Sequence, residues 1–99
     1  MTVALKLITV VAEEVVAPKI AEDMMRLGAS GYTMVEAHGQ GSRGKRLGRV
    51  GELNLRIDAV VSEAVAEKIM ARLSEHYFPR FATIAWLGDV SVLRGDKYV

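Results

Sequence analysis

Gly39-Gln40-Gly41-Ser42-Arg43-Gly44-Lys45-Arg46-Leu47-Gly48-Arg49-Val50-Gly51 decides the fold, because the segments on both sides of it read as strands. It carries five glycines and four cationic side chains in thirteen residues, and no acid occurs until Glu52. Glycines let a backbone approach a ligand closely, and successive free N–H groups form a concave nest for oxyanions. Arg43, Arg46 and Arg49 add forked donors that suit phosphate or carboxylate. Chemistry alone therefore makes this an anion-binding loop. Two nucleotide fingerprints match it in letters and fail in context. Gly39, Gly41 and Gly44 spell G-x-G-x-x-G, and Gly39 to Lys45 follows most of a Walker A loop, but both motifs work only where a strand turns directly into a helix. Here another strand follows, and Arg46 stands where the Mg²⁺-binding hydroxyl belongs. The loop joins two strands, and the elements on either side define the fold.

Downstream, Leu53, Leu55, Ile57, Ala59 and Val61 alternate with Asn54, Arg56 and Asp58, the clearest period-two signal in the chain. Upstream, residues 31–39 form a second strand with Thr33, Val35 and Ala37 on one face. Ser62 caps a helix whose buried line is Val65, Ile69 and Leu73, and whose opposite face carries Lys68, Arg72 and His76 as solvated charge. Pro79 ends that helix. Thr83 to Leu93 reads as the last strand, with Gly88-Asp89 expected to bend or bulge it.

Towards the N-terminus, residues 3–11 are a strand with apolar side chains on both faces, Val3, Leu5, Leu7 and Val11 opposing Ile8 and Val10, so both faces are expected to be covered. An amphipathic helix follows over about 15–27 with the stripe Val16, Ile20, Met24 and Leu27. Pro18 forces its regular hydrogen bonding to start near Val16 or Ala17, and Gly28 is placed to end it as the residue after the cap. The order is βαββαβ, the ferredoxin-like α+β arrangement: a four-stranded antiparallel sheet with two helices on one face. Since two helices cover one face and the strands are apolar on both, other copies of the chain are expected to bury the second, with ligand clefts between subunits.

The 99 residues make one domain, 1–99, and its 13 Lys and Arg against 12 Asp and Glu leave a net charge of +1. The positive charge is local to the loop, which argues against a globally basic nucleic-acid binder. Without cysteine there is neither disulfide nor thiol chemistry, which fits a reducing cytoplasm, and no apolar run is long enough to enter a membrane. His38 and His76 fall in different elements and are read as structural or surface residues, so no metal site is expected.

Leu5-Lys6-Leu7-Ile8-Thr9, Gly31-Tyr32-Thr33-Met34-Val35-Glu36 and Gly39-Gln40-Gly41 resemble, in order, the opening strand, second strand and loop entry of the PII signal-transduction superfamily. Tyr77 to Ile84, Asp89 to Gly95, and Gly39 to Gly44 followed by Arg46 resemble its PII-like branch associated with bicarbonate uptake and carboxysomes. The resemblance covers about ninety residues. It implies a cytoplasmic homotrimer that binds adenine nucleotides in inter-subunit clefts, with bicarbonate as a candidate second ligand and no cofactor. It also implies signalling through a T-loop at about 40–53 to a membrane transporter or carboxysome-associated protein. Carried over by position, Thr33, Gly39 and Gly41 would hold the adenosine end; Ser42, Arg43 and Arg46 would meet phosphates; Asp58 and Arg94 match positions near the nucleotide.

The loop is shorter than that of nitrogen-regulatory PII proteins and has no tyrosine, which excludes uridylylation there. Phe78-Pro79-Arg80-Phe81 replaces their glycine- and lysine-bearing phosphate loop, so AMP or ADP is favoured over ATP with Mg²⁺ and 2-oxoglutarate. The C-terminal cysteine pair of the transporter-associated relatives is missing as well. Two other classes compete. An enzyme hydrolysing nucleotides would need a general base, which the loop lacks, and Ala12-Glu13-Glu14-Val15 is too acidic for the phosphate cradle of an acylphosphatase. An RNA-binding module of the same strand order would show stacking aromatics on its central strands, where this chain has Leu5, Leu7, Leu55 and Ile57.

Overall fold

The computed structural model describes residues 1–39 and 53–99. The strands are β1 (Val3–Glu13), β2 (Thr33–Ala37), β3 (Asn54–Val61) and β4 (Ile84–Val92), and the helices are α1 (Ala17–Arg26) and α2 (Glu63–Arg72). α2 continues into a π-helical turn, Leu73–Tyr77, and a short 3₁₀ turn, Gly95–Lys97, follows β4. The four strands form one antiparallel sheet in the order β2-β3-β1-β4, as expected for the ferredoxin-like arrangement.

Local chemistry explains the helix ends. Pro18 falls in the first turn of α1, where its missing N–H leaves no intrahelical acceptor unpaired. At the other end Gly28 N–H bonds the Met25 carbonyl at 3.2 Å and Ala29 N–H reaches back to Met24 at 3.0 Å, the paired bonds of a Schellman cap. Gly28 has φ +126°, and a Cβ there would lie 2.9 Å from Val65 Cγ2, so conformation and space both call for glycine. Ser62 Oγ accepts the Val65 N–H at 3.2 Å and caps α2.

Both helices pack on one sheet face. Ile8, Val10 and Ala12 of β1 and Ile57, Ala59 and Val61 of β3 point into that layer and meet Ile20, Met24, Ile69, Leu73 and Tyr77. Among the described residues nothing covers the opposite face in this way: Val3, Val35, Ile84 and Trp86 remain 42–49% exposed. The expectation that both faces of β1 are buried therefore holds within one subunit only for the helix side. The expected break at Gly88-Asp89 does not occur. β4 runs straight through it, with Gly88 opposite Leu7 and Asp89 opposite Lys6. Asp89 forms an ion pair with Lys6 across the ladder, and Gly88 has open space beside it.

Arg72 also departs from its sequence reading as a solvated charge. Its Nε donates to Asp23 Oδ2 at 3.1 Å, joining α2 to α1, while Arg26 and the Tyr77 hydroxyl donate to the same carboxylate. The π-helical turn carries Tyr77 inward to make this contact, and the residue is only 1% exposed. Burial by itself would raise the Asp23 pKa, but the hydrogen bonds from Tyr77, Arg72 and Arg26 outweigh it and hold the carboxyl below its ordinary value. Burial, reinforced by Asp23, pushes the Tyr77 hydroxyl up to about 12.

Candidate functional site

A cleft of about 280 Å³ opens on the uncovered side of the sheet. Its floor is Leu7 of β1 with Asp58 and Val60 of β3; its walls are Ser30 to Thr33 before and at the start of β2, and Lys97 and Tyr98 from the C-terminal segment. The sheet register explains the meeting: Thr33 stands directly opposite Asp58 on the neighbouring strand, so their side chains share a face. The C-terminal segment comes back because Arg94 takes a left-handed conformation, φ +56°, and Gly95 then seats against Val3, whose Cγ2 is 2.7 Å from where a Cβ would be.

Asp58 is the cleft's fixed polar group. Its Oδ1 accepts the Thr9 hydroxyl at 2.6 Å, and its Oδ2 accepts Arg56 Nε at 3.0 Å. Arg56 Nη2 also reaches Oδ1 at 3.4 Å, and its guanidinium lies 5.9 Å from the centre of the Trp86 ring on β4. Thr9 is fully buried, while the Asp58 side chain is 26% exposed. Bound hydroxyl or amine donors are what this carboxylate can take; its charge disfavours a phosphate directly against it.

Thr33 and Asp58 are thus brought together. Gly39 lies two residues beyond β2, roughly 20 Å along the strand from Thr33 at the usual rise per residue. Arg94 is exposed at the turn that redirects the C-terminal segment. Gly41, Ser42, Arg43 and Arg46 lie outside the described residues. Sequence reading missed Lys97, Tyr98 and Tyr32 as cleft residues. Only the pairing of the distant β1 and β4 brings the chain's end to this place, so no local pattern could have signalled the first two. Tyr32 stood inside the quoted G-Y-T-M-V-E motif, next to Thr33, and that adjacency was the available signal.

The segment Phe78 to Phe81, which follows the π-helical turn, is used for packing. Arg80 folds back onto the His76 carbonyl at 2.9 Å, and the Phe81 ring lies 6.4 Å from that of Tyr77. On the uncovered face, the two central strands present Leu5, Leu7 and Thr9 beside Arg56 and Asp58. Leu55 and Ile57, which the sequence comparison with RNA-binding sheets places on that face, point toward the helices instead, on the same side as their partners Ala12 and Val10. No described helix is long and apolar enough to cross a membrane.

Residues 5–97 match the family model for nitrogen regulatory protein P-II. The chain belongs to the P-II family. Its members are regulatory proteins rather than enzymes, and this P-II chain is a PII-like signalling protein. It is similar to the crystal structure of a PII-like signaling protein from Thermus thermophilus, with 47% identity, TM-score 0.86, and coverage of 99% of this chain and 98% of that one. It shares its fold with CPII from Thiomonas intermedia in complex with ADP and bicarbonate, at 23% identity and TM-score 0.89 over 100% of this chain and 98% of that one. The GlnK–ATP complex of B. subtilis is a more distant relative in fold: 15% identity and TM-score 0.62, covering 91% of this chain and 84% of that one.

Proposed function

We propose that the protein is a homotrimeric sensor of adenine nucleotides in the cytoplasm, with AMP or ADP preferred and bicarbonate as a second ligand. The observation that carries this reading is the cleft in which Thr33 and Asp58 face each other beside Lys97, on a sheet face whose apolar residues call for neighbouring copies. The nucleoside end occupies this cleft, its hydroxyls or amine donating to Asp58. The neighbouring subunit completes the site, with Gly39 and Gly41 at the loop entry and Arg94 at its rim.

Ser42, Arg43 and Arg46 meet the phosphates, and the T-loop over about 40–53 orders around them. The Phe78–Phe81 segment has neither the glycines nor the lysine of a phosphate-gripping loop, which supports the shorter phosphate chains. The CPII structures with ADP and bicarbonate support the same ligand classes by analogy of fold. The partner, on the likeness of the last helix and strand to the bicarbonate-associated branch, is a transporter or a carboxysome-linked protein of inorganic-carbon uptake. The nucleotide changes affinity for that partner only by as much as it prefers one loop state over the other.

Calorimetry with AMP, ADP, ATP and cyclic AMP, with and without bicarbonate, tests the proposal on protein whose mass is fixed by light scattering. A trimer taking one nucleotide per chain, AMP or ADP tightest, is the expected result. A monomer, or a trimer that binds none of the four, overturns it. Arg43→Ala is expected to weaken binding about tenfold or more through loss of a charge-assisted phosphate contact. Unchanged affinity in that variant would remove Arg43 from the site.

A further inference from the structure

Asp58 is held from one side by a chain of contacts that leaves the cleft altogether. Thr9, Arg56 and Trp86 belong to β1, β3 and β4, and none of the three lines the cleft. An ionised carboxylate has about four lone-pair positions. Three are engaged here: Oδ1 by Thr9 at 2.6 Å and by Arg56 Nη2 at 3.4 Å, and Oδ2 by Arg56 Nε at 3.0 Å. Among the described residues no other donor reaches this carboxylate, which leaves one acceptor position, on Oδ2, for a ligand. The Arg56 fork is itself placed against the Trp86 ring, 5.9 Å from its centre.

We propose that Arg56 is a positioning residue of the cleft. Braced by Trp86 and working with Thr9, it fixes the Asp58 carboxylate so that a single outward acceptor meets one hydroxyl or amine of the bound nucleoside. The inference rests on reading the cleft as the nucleoside site. It adds that affinity there depends on a tryptophan of a strand the ligand does not touch. A planar fork holds a carboxylate in one orientation, whereas a lysine ammonium holds only its charge. Trp86 acts through the ring face it offers to the guanidinium, so phenylalanine can substitute for it and leucine cannot.

The test compares ADP affinity by calorimetry for the wild type, R56K, R56Q, W86F, W86L and the double variant R56Q/W86L, with assembly checked by light scattering. R56Q and R56K are expected to lose roughly three- to tenfold in affinity, W86L a similar factor, and W86F little, as follows from one weakened hydrogen bond to a charged group. The double variant should be no weaker than R56Q alone, because both changes disable the same device.

Trp86 is the single tryptophan, so its fluorescence reads the brace without ligand. R56Q and D58N should shift its emission, the second because it releases the fork. Wild-type affinity in R56Q, losses that add in the double variant, or Trp86 emission indifferent to R56Q would each overturn the inference while leaving the cleft reading intact. Failure of the wild type itself to bind ADP would overturn both. The W86F and W86L pair decides the matter if Arg56 variants do not assemble, since retention by one and loss by the other is not expected of a merely structural residue.

Discussion

Removing one oxygen tests how the two helices are joined. In Tyr77→Phe the ring and its packing stay, while the hydrogen bond from its hydroxyl to the Asp23 carboxylate is lost. A hydrogen bond to a charged group contributes about 1.5–3 kcal/mol. The Tyr77 hydroxyl is pushed up to about 12 from an ordinary value of 10.0, which corresponds to roughly 3 kcal/mol between its two protonation states. Burial accounts for the first share of that shift, so it is an upper limit for the bond itself. The expected cost of Tyr77→Phe is therefore about 2 kcal/mol, or roughly 8–16 °C in melting temperature for a domain of this size.

The pH dependence gives a second reading of the same bond. A tyrosine whose folded pKa is raised contributes fully below its unfolded value of about 10, and the contribution fades as pH rises through about 12. The deficit of Tyr77→Phe against the wild type should thus be constant near neutrality and shrink across that alkaline window. Urea unfolding of both proteins at one protein concentration, from about pH 7 to about pH 12, measures it. A difference below about 0.5 kcal/mol at neutral pH, or a deficit that stays constant into the alkaline range, would refute the account of Asp23 and Tyr77 as the joint between α1 and the end of α2.

Asp23→Asn is expected to lose stability at neutral pH and to flatten the acid side. The native carboxyl lies below its ordinary value, so its contribution is present above the unfolded value of about 4 and disappears as pH falls through the lower folded one; acid titration of unfolding for the two proteins should show the curves converging at low pH. Gly28→Ala should cost about 1–3 kcal/mol by thermal or urea unfolding, since φ +126° is strained for alanine and its Cβ would meet Val65 Cγ2 at 2.9 Å. Gly95→Ala should displace the C-terminal turn from Val3 and with it Lys97 and Tyr98, lowering nucleotide affinity more than melting temperature; calorimetry beside a thermal melt separates the two effects.

Much of the architecture was legible because its causes are local. The alternation from Leu53 to Val61 marks a half-buried strand, Pro18 and Gly28 bracket α1, and Ser62 caps α2; each depends on residues within a few positions. The βαββαβ order followed from those elements, and the uncovered apolar face followed from counting two helices against two faces. The resemblance of ordered motifs to PII proteins gave the family, while the glycine-rich loop, read as anion-binding chemistry, lies from Gln40 onward outside the described residues.

What only the tertiary structure decided depends on register between distant strands and helices. Asp58 lies 49 residues from Thr9, Arg72 lies 49 from Asp23, and Asp89 lies 83 from Lys6. No window along the chain contains both members of such a pair. Gly88-Asp89 looked like a break because glycine and aspartate are poor strand formers on their own, and the ladder partners Leu7 and Lys6 exist only after β1 and β4 have paired. Arg72 looked solvated because helical spacing shows which residues share a face but not that a buried carboxylate on another helix lies beneath it. Lys97 and Tyr98 became cleft residues for the same reason: sequence specifies the segments, and the sheet's pairing places the chain's end beside Thr33 and Asp58.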